Sequence, residues 1–245
     1  MLSFRITHKP TTGSTNDDVL ASAESGEAEG LVITAATQTG GRGRRGRSWF
    51  SPPGNLYASL LLRPDGTIDA GLYNFVASLA IAAALRRYLD PARVRLKWPN
   101  DVLVDGAKIS GIILESAGTA LVVGFGVNIA AHPDPAETRY PATSLAALGF
   151  DPARMTPAVV LDTILEEFSR YHGMLHAEGF SILHDAWMAQ ATGIGENMVV
   201  KMPDRDIAGR FMTIDEQGRL LLEQPGGMVL TIAAGDVFFM RSGEN

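Results

Sequence analysis

Four arginines and two lysines dominate the chemistry this sequence offers. Arg42, Arg44, Arg45 and Arg47 alternate with Gly40, Gly41, Gly43 and Gly46 in TQTGGRGRRGRSWF, residues 37–50. No acidic residue lies between Glu29 and Asp65. Guanidinium groups suit two-pronged contacts with phosphate or carboxylate, and the glycines let backbone approach a ligand closely. The run is nearly devoid of apolar side chains before Trp49, so it cannot pack a core. It is expected to be a loop, loose when empty and closed over an anion. Freezing it costs roughly 1 to 2 kcal/mol per residue, so only a ligand rich in contacts holds it shut. As a bare motif it reads equally as a solvated loop or as a segment tracking nucleic-acid backbone.

Lys97 and Lys108 fall in strand-like stretches, where lysine is disfavoured unless it guards an edge. They flank Asn100 and Asp101, whose oxygens suit a magnesium ion carried with phosphates. Beside the arginine loop, this set adds up to a triphosphate site. No GxxxxGK[ST] string occurs, so it is not a P-loop, and the kinase set is absent too. Trp49, at the end of the loop, is placed to stack on a base, whereas Trp98 and Trp187 read as packing. Ser14, Thr15 and Asn16 are N-cap residue types before a helical run, or three short polar side chains pointing into a cleft. His172 and His176, four apart, read as a solvated helix face, as do Asp162, Glu166 and Glu167. No nucleophile–base set emerges.

The elements that must position these groups are β-rich. Apolar runs predict strands at residues 4–7, 31–36, 57–62, 94–96 and 121–129. A hairpin is expected across Asp105-Gly106, a pair suited to a type I′ turn. Residues 72–89 read as a helix buried on nearly all sides. A second helix opens at Thr156-Pro157 with a cap and a first-turn proline. Residues 31–36 deliver Gln38 and the arginine loop from the carboxyl end of a strand, where ligand loops of α/β sheets collect. Beyond residue 197 the pattern changes to five short strands, at 198–202, 207–214, 219–223, 228–232 and 236–240. Turns at Asp204, Gln217-Gly218 and Pro225-Gly226-Gly227 separate them, which is the signature of a small barrel. The expected fold class is α+β: a mixed β-sheet domain packed with helices over residues 1–192, plus a small β-barrel domain over 193–245.

The chain has 245 residues, 21 basic and 27 acidic, and a net charge of −6. A protein that lives on nucleic acid carries a broad basic footprint, whereas here positive charge is local. Without cysteine there is neither a disulfide framework nor a thiolate metal site. The N-terminus lacks the pattern of a signal peptide, and the most apolar helix is too short for a bilayer. A cytoplasmic protein with no membrane association is expected.

The strings STN (14–16), GRGRRGR (41–47) followed by SWFSPPGNLY, KWPND (97–101), AKISGIILE (107–115) and GFGVNI (124–129) resemble those of the biotin protein ligases, in that family's order and spacing. The resemblance covers essentially the whole chain and gives the C-terminal barrel an SH3-like character. It implies two half-reactions: biotin and ATP form biotinyl-5′-AMP and pyrophosphate, and a lysine of a biotin carboxyl carrier domain then takes the biotinyl group. It places Ser14, Thr15, Asn16 and Gln38 around biotin, with the backbone of Arg42, Gly43 and Arg44. Lys108, beside Gly111, bridges the biotin carboxylate and the α-phosphate. Arg44, Arg45 and Arg47 serve the triphosphate and then cover the adenylate, so that Arg44→Gly would release it. Trp49, Asn100, Asp101 and Asn128 serve base, phosphate, magnesium and ribose, with Asp101 as the metal ligand. Asp101 could instead orient the acceptor lysine, and Lys97 serve the leaving phosphate. The division among Lys97, Asn100, Asp101 and Asn128 stays open at this point. Bifunctional members carry an N-terminal winged helix, whereas here the catalytic core is expected to begin within the first dozen residues, so no DNA binding is expected. The rivals are a lipoate or octanoate ligase or transferase of the same fold, and a Gly/Arg-loop nucleic-acid binder. An edge strand is available for a homodimer or for docking the carrier domain.

Overall fold

Alternation along two central strands decides which side of the main sheet is core and which is site. The computed structural model describes residues 2–138, 140–202 and 205–239. Its larger sheet is built from β1 (Arg5–Thr12), β2 (Leu31–Gln38), β3 (Leu56–Leu62), β4 (Val94–Lys97), β5 (Asp101–Val104), β6 (Ala107–Ala117) and β7 (Ala120–Val127), in the order β1-β2-β3-β7-β6-β5-β4. β1 runs parallel to β2, and the other neighbours are antiparallel. The sheet is mixed, as expected.

β3 and β7 lie in the middle, and every residue of both is buried. Successive side chains point to opposite faces. Leu56, Ala58, Leu60 and Leu62, with Leu121, Val123, Phe125 and Val127, meet the main core. That core includes α2 (Tyr73–Leu85) and α3 (Pro157–Glu178). α2 is apolar on nearly all its faces and is buried accordingly. α3 starts as its sequence predicts, with Thr156 Oγ1 accepting from the backbone of Val159 and Pro157 in the first turn.

The opposite face begins as core too. Leu61, Ala120 and Val122 pack under α1 (Thr15–Glu24) through Val19 and Ala23. Further along the same face, β7 carries Gly124 and Gly126, while β3 carries Ser59 and Tyr57. The apolar floor gives way there to glycine and hydroxyl groups, and that is where the cavity lies. The hairpin between β5 and β6 turns at Asp105 and Gly106, both with positive φ (50° and 78°), as a type I′ turn requires.

α4 (Phe180–Met188) leads to a second sheet of β8 (Asn197–Lys201), β9 (Asp206–Ile214), β10 (Leu220–Glu223), β11 (Val229–Ile232) and β12 (Asp236–Phe239), ordered β11-β10-β9-β8-β12 and wholly antiparallel. Among the described residues no backbone pairing joins β11 to β12, so the five strands curl without a closed hydrogen-bonded ring. The expected turn residue Asp204 and the end of the last strand at Met240 lie outside the described residues. The two sheets meet through one contiguous core, and Trp98 Nε1 donates to the Gly218 carbonyl at 3.0 Å.

Two surface expectations need correction. Glu167 is buried and paired with Arg87 and Arg170, because it faces the neighbouring helix end and not water. His172 is half-buried against Tyr73 and Phe168. Burial pushes its pKa down to about 4, so it is no solvated cation.

Candidate active site

A cavity of about 750 Å³ opens over the glycine stretch of β7. Ser14, Thr15, Asn16, Gln38, Arg42, Gly43, Arg44, Arg45, Arg47, Trp49, Asn100, Lys108, Gly111 and Asn128 all border it. Lys97 and Asp101 do not border it and stand behind its wall.

One end is lined by neutral polar side chains, several of them hydrogen-bonded to one another. Ser14 begins α1 in extended backbone, yet makes no side-chain cap bond. The expected cap is supplied from β2, since Gln38 Oε1 accepts from Thr15 N at 2.9 Å. Gln38 Nε2 in turn donates to Ser51 Oγ at 3.2 Å. Beneath them, Ser59 Oγ lies 2.5 Å from Asn16 Oδ1 and 2.7 Å from Thr15 Oγ1. A hydroxyl has one proton and an amide oxygen can only accept, so Ser59 donates to Asn16. Asn16 Nδ2 donates to Glu115 Oε2 at 2.6 Å. A Cβ on Gly124 would overlap the Asn16 amide, and one on Gly126 the Trp49 indole. The glycines are there to make room for those two side chains.

The other end is cationic. Arg42 grips Asp17 with both terminal nitrogens (2.7 and 2.5 Å) and reaches Glu115 at 3.3 Å. That contact holds the Asp17 carboxyl below the usual carboxylate range and raises Arg42. Arg42 thereby anchors the base of the loop, leaving its backbone and the next three arginines toward the cavity. Arg44 faces Asn100 Oδ1 at 3.4 Å, and burial lowers its pKa. Arg45, left-handed at φ 57°, donates to the Lys201 carbonyl at 2.8 Å. Arg47 pairs with Asp236 at 2.8 Å.

Between the ends stands Lys108. A register shift in the β5–β6 ladder leaves Ile109 unpaired between Lys108 and Ser110, and bulges of this kind re-aim side chains. The Lys108 backbone is pinned by N–H to Pro141 O (2.7 Å) and by O from Thr143 N (2.9 Å). Its Nζ contacts Asp101 Oδ1 and lies 5.4 Å from the Trp49 ring centroid. Trp49 Nε1 is buried without a partner, a donor presented within the cavity wall.

Lys97 Nζ sits 3.4 Å from the centroid of the Tyr140 ring, which borders the cavity. Burial pushes its pKa down to about 8, with nearby Asp101 opposing the shift. Asp101 Oδ1 meets Lys108 Nζ, and Asn100 Oδ1 lies 3.4 Å from Arg44 Nη1. Among the described residues no cluster of three metal-ligating His, Cys, Asp or Glu side chains occurs.

Sequence reasoning missed Ser59, Glu115, Asp17 and Asp236. Ser59 sits inside an apolar strand, where a lone serine gives no signal. Glu115 stood within a quoted motif, four residues past Gly111 on a strand. Asp236 belongs to the second sheet, and no local pattern links it to residue 47.

Neutral polar groups at one end, cations at the other and a lysine between them define a site that activates a small molecule against a phosphate anion. Residues 7–130 match the Biotin/lipoate A/B protein ligase family, and residues 193–240 match the Biotin protein ligase C terminal domain. The chain belongs to the biotin/lipoate A/B protein ligase family. It is 39% identical over 236 residues to the biotin--[acetyl-CoA-carboxylase] ligase of Paracoccus denitrificans, covering 93% of this chain and 98% of that protein. To the enzyme of the same name from Mycobacterium tuberculosis it is 35% identical, covering 94% and 87%. The biotin protein ligase from Aquifex aeolicus, solved in complex with biotin and ATP, superposes with a TM-score of 0.82 at 27% identity over 97% of this chain and 99% of that one. Among the described residues no helix is long and apolar enough to cross a membrane.

Proposed function

We propose that this chain joins biotin to a lysine of a biotin carboxyl carrier protein or domain, as its relatives are named for doing with acetyl-CoA carboxylase. The carrying observation is the pairing of a neutral, hydrogen-bonded end with a guanidinium end across Lys108. A ureido ring has two N–H donors and one carbonyl. Ser14, Thr15, Asn16 and Gln38 offer hydroxyl and amide groups of matching kind. A thiolane or fatty-acyl chain has no ureido head, and burying those groups against it would leave donors unpaired at about 1 to 3 kcal/mol each.

In the first half-reaction a biotin carboxylate oxygen bonds to the α-phosphorus of ATP as the α–β anhydride P–O bond breaks. Its electron pair leaves on pyrophosphate. Lys108 bridges carboxylate and α-phosphate and offsets charge there, with Asp101 holding its ammonium in place. Arg44, Arg45 and Arg47 serve the triphosphate, and Trp49 stacks on the adenine. Asn100 and Asn128 hold phosphate and ribose, and Lys97 acts through the field behind Tyr140. Magnesium enters with ATP as part of the substrate, and no step here is routed through it. In the second half-reaction the neutral carrier lysine attacks the biotinyl carbonyl, an amide bond forms, and AMP leaves with the anhydride electrons. The catalytic unit is residues 1–192, and the C-terminal unit, 193–245, contributes Asp236 to the border of the site.

The test is pyrophosphate release from ATP with biotin, lipoate or octanoate in turn, followed by transfer to a carrier domain. Release is expected with biotin alone. Release with lipoate or octanoate instead assigns the rival ligase. Retention on nucleic acid with a steep salt dependence and no turnover assigns the binder.

A further inference from the structure

The second sheet reaches into the arginine loop at one carboxylate. Asp236, the first residue of β12, is largely buried, at 15% side-chain exposure, and lies 2.8 Å from Arg47 Nη2 and 3.7 Å from Arg45 Nη1. Its cross-strand partner Lys201 supplies the carbonyl that Arg45 also grips. Next along β12, the Val237 carbonyl accepts from the Tyr140 hydroxyl. The C-terminal sheet is thus tied to the cavity wall on both sides of Asp236. Arg45 is held at φ 57° in this arrangement, a backbone region where a side chain is disfavoured, so the contacts over-determine its position.

We infer that Asp236 is a positioning residue that stands in for pyrophosphate. This rests on the reading that Arg45 and Arg47 serve the triphosphate in the first half-reaction. Once pyrophosphate departs, those two guanidinium groups lose their anionic partners while the adenylate still needs cover from water. Asp236 takes them over and keeps the loop shut until the carrier lysine arrives. A carboxylate from the C-terminal sheet suits this task because it belongs to the protein and borders the same cavity, whereas the product leaves.

The experiment uses the full chain with MgATP, biotin and a pyrophosphatase, comparing wild type with Asp236→Asn and Asp236→Glu. Rapid filtration reads the ratio of free to protein-held biotinyl-AMP, and limited trypsin digestion reads exposure of the loop arginines. Asp236→Asn raises the ratio roughly fivefold, the scale of one or two partly exposed ion pairs, and speeds cleavage at the loop. Asp236→Glu restores most of the retention, which a merely structural aspartate would not predict. Should Asp236→Asn fold poorly, wild type alone gives the answer. Raising salt screens the pair and must raise the leak, and a leak indifferent to salt overturns the inference. Normal adenylate formation with retention and cleavage unchanged in Asp236→Asn sinks the latch and leaves the ligase reading intact. No adenylate from wild type sinks both.

Discussion

The two ends of the cavity solve opposite problems. At the neutral end Ser14, Thr15, Asn16 and Ser59 are each at most 5% exposed, and they are carried by the first turn of α1 and by β3. Their bonds run in one chain from Glu115 through Asn16, Ser59, the hydroxyl and backbone N–H of Thr15, and Gln38 to Ser51. At the cationic end the side chains of Arg42, Arg45 and Arg47 are 30 to 44% exposed and held by ion pairs on a glycine-rich loop. Exposed pairs contribute only about 0.2 to 1 kcal/mol, so that end opens at small cost. A buried polar group left unpaired costs roughly 1 to 3 kcal/mol, so the neutral end cannot shift without a penalty. Selectivity belongs on the rigid end, and admission and retention belong on the loose one.

Lys108, where the two ends meet, has the largest expected effect. Lys108→Ala is expected to slow adenylate formation by about 10² to 10³-fold, on the scale of losing one preorganised donor to developing charge. Biotin binding measured without ATP should weaken far less, since the neutral end is untouched and only the carboxylate contact is lost. Near-normal pyrophosphate release by the variant would falsify the assignment of charge stabilisation to this lysine.

Next in size comes Ser59→Ala, which severs the chain at its midpoint. Asn16 Oδ1 loses its donor at a residue only 5% exposed. An unpaired acceptor there should raise the KM for biotin by roughly 5 to 100-fold. The KM for ATP stays within about twofold if the ends are independent, as separated sites generally are. A parallel rise in both constants would show that the two ends form one cooperative unit, against the division drawn here.

The same contrast explains what is legible in the sequence. The cationic end is compact in sequence, with four arginines among glycines over residues 40–47, although the bare run fits a solvated loop equally well. The strings at residues 14–16 and 97–101 are equally compact in sequence. The strand pattern, the buried helix α2 and the five C-terminal strands follow from local periodicity. The partners were not legible, because Glu115 meets Asn16 across 99 residues and Asp236 meets Arg47 across 189. Such contacts depend on the order of strands in the sheets. The cap of α1 illustrates the point: Ser14 had the right chemistry, but Gln38 from β2 does the work. Lys97 and Asp101 were legible as charges, yet only the pleat of β4 and β5 shows that they stand behind the wall.

The smallest effect is the most discriminating, because it separates field from contact. Lys97 is buried behind Tyr140, and its pKa is about 8 against 10.5 for a free lysine. At pH 7 roughly nine tenths of it is charged, and at pH 9 about one tenth. If its field assists the triphosphate, kcat/KM for ATP, which reports the free enzyme, should fall a few-fold with a midpoint near pH 8. Lys97→Met should be slower at pH 7 and flat through that midpoint. The stability contribution has the opposite sign. A lysine with a depressed folded pKa binds fewer protons when folded, so between pH 8 and 10.5 the unfolded chain holds the extra proton and stability rises with pH. Below pH 8 both states are charged and the burial penalty is felt in full. Catalysis should therefore weaken as the fold tightens, which no general alkaline loosening can produce. If activity and melting temperature fall together through pH 8, or if Lys97→Met keeps the wild-type profile, the lysine serves only as packing against Tyr140.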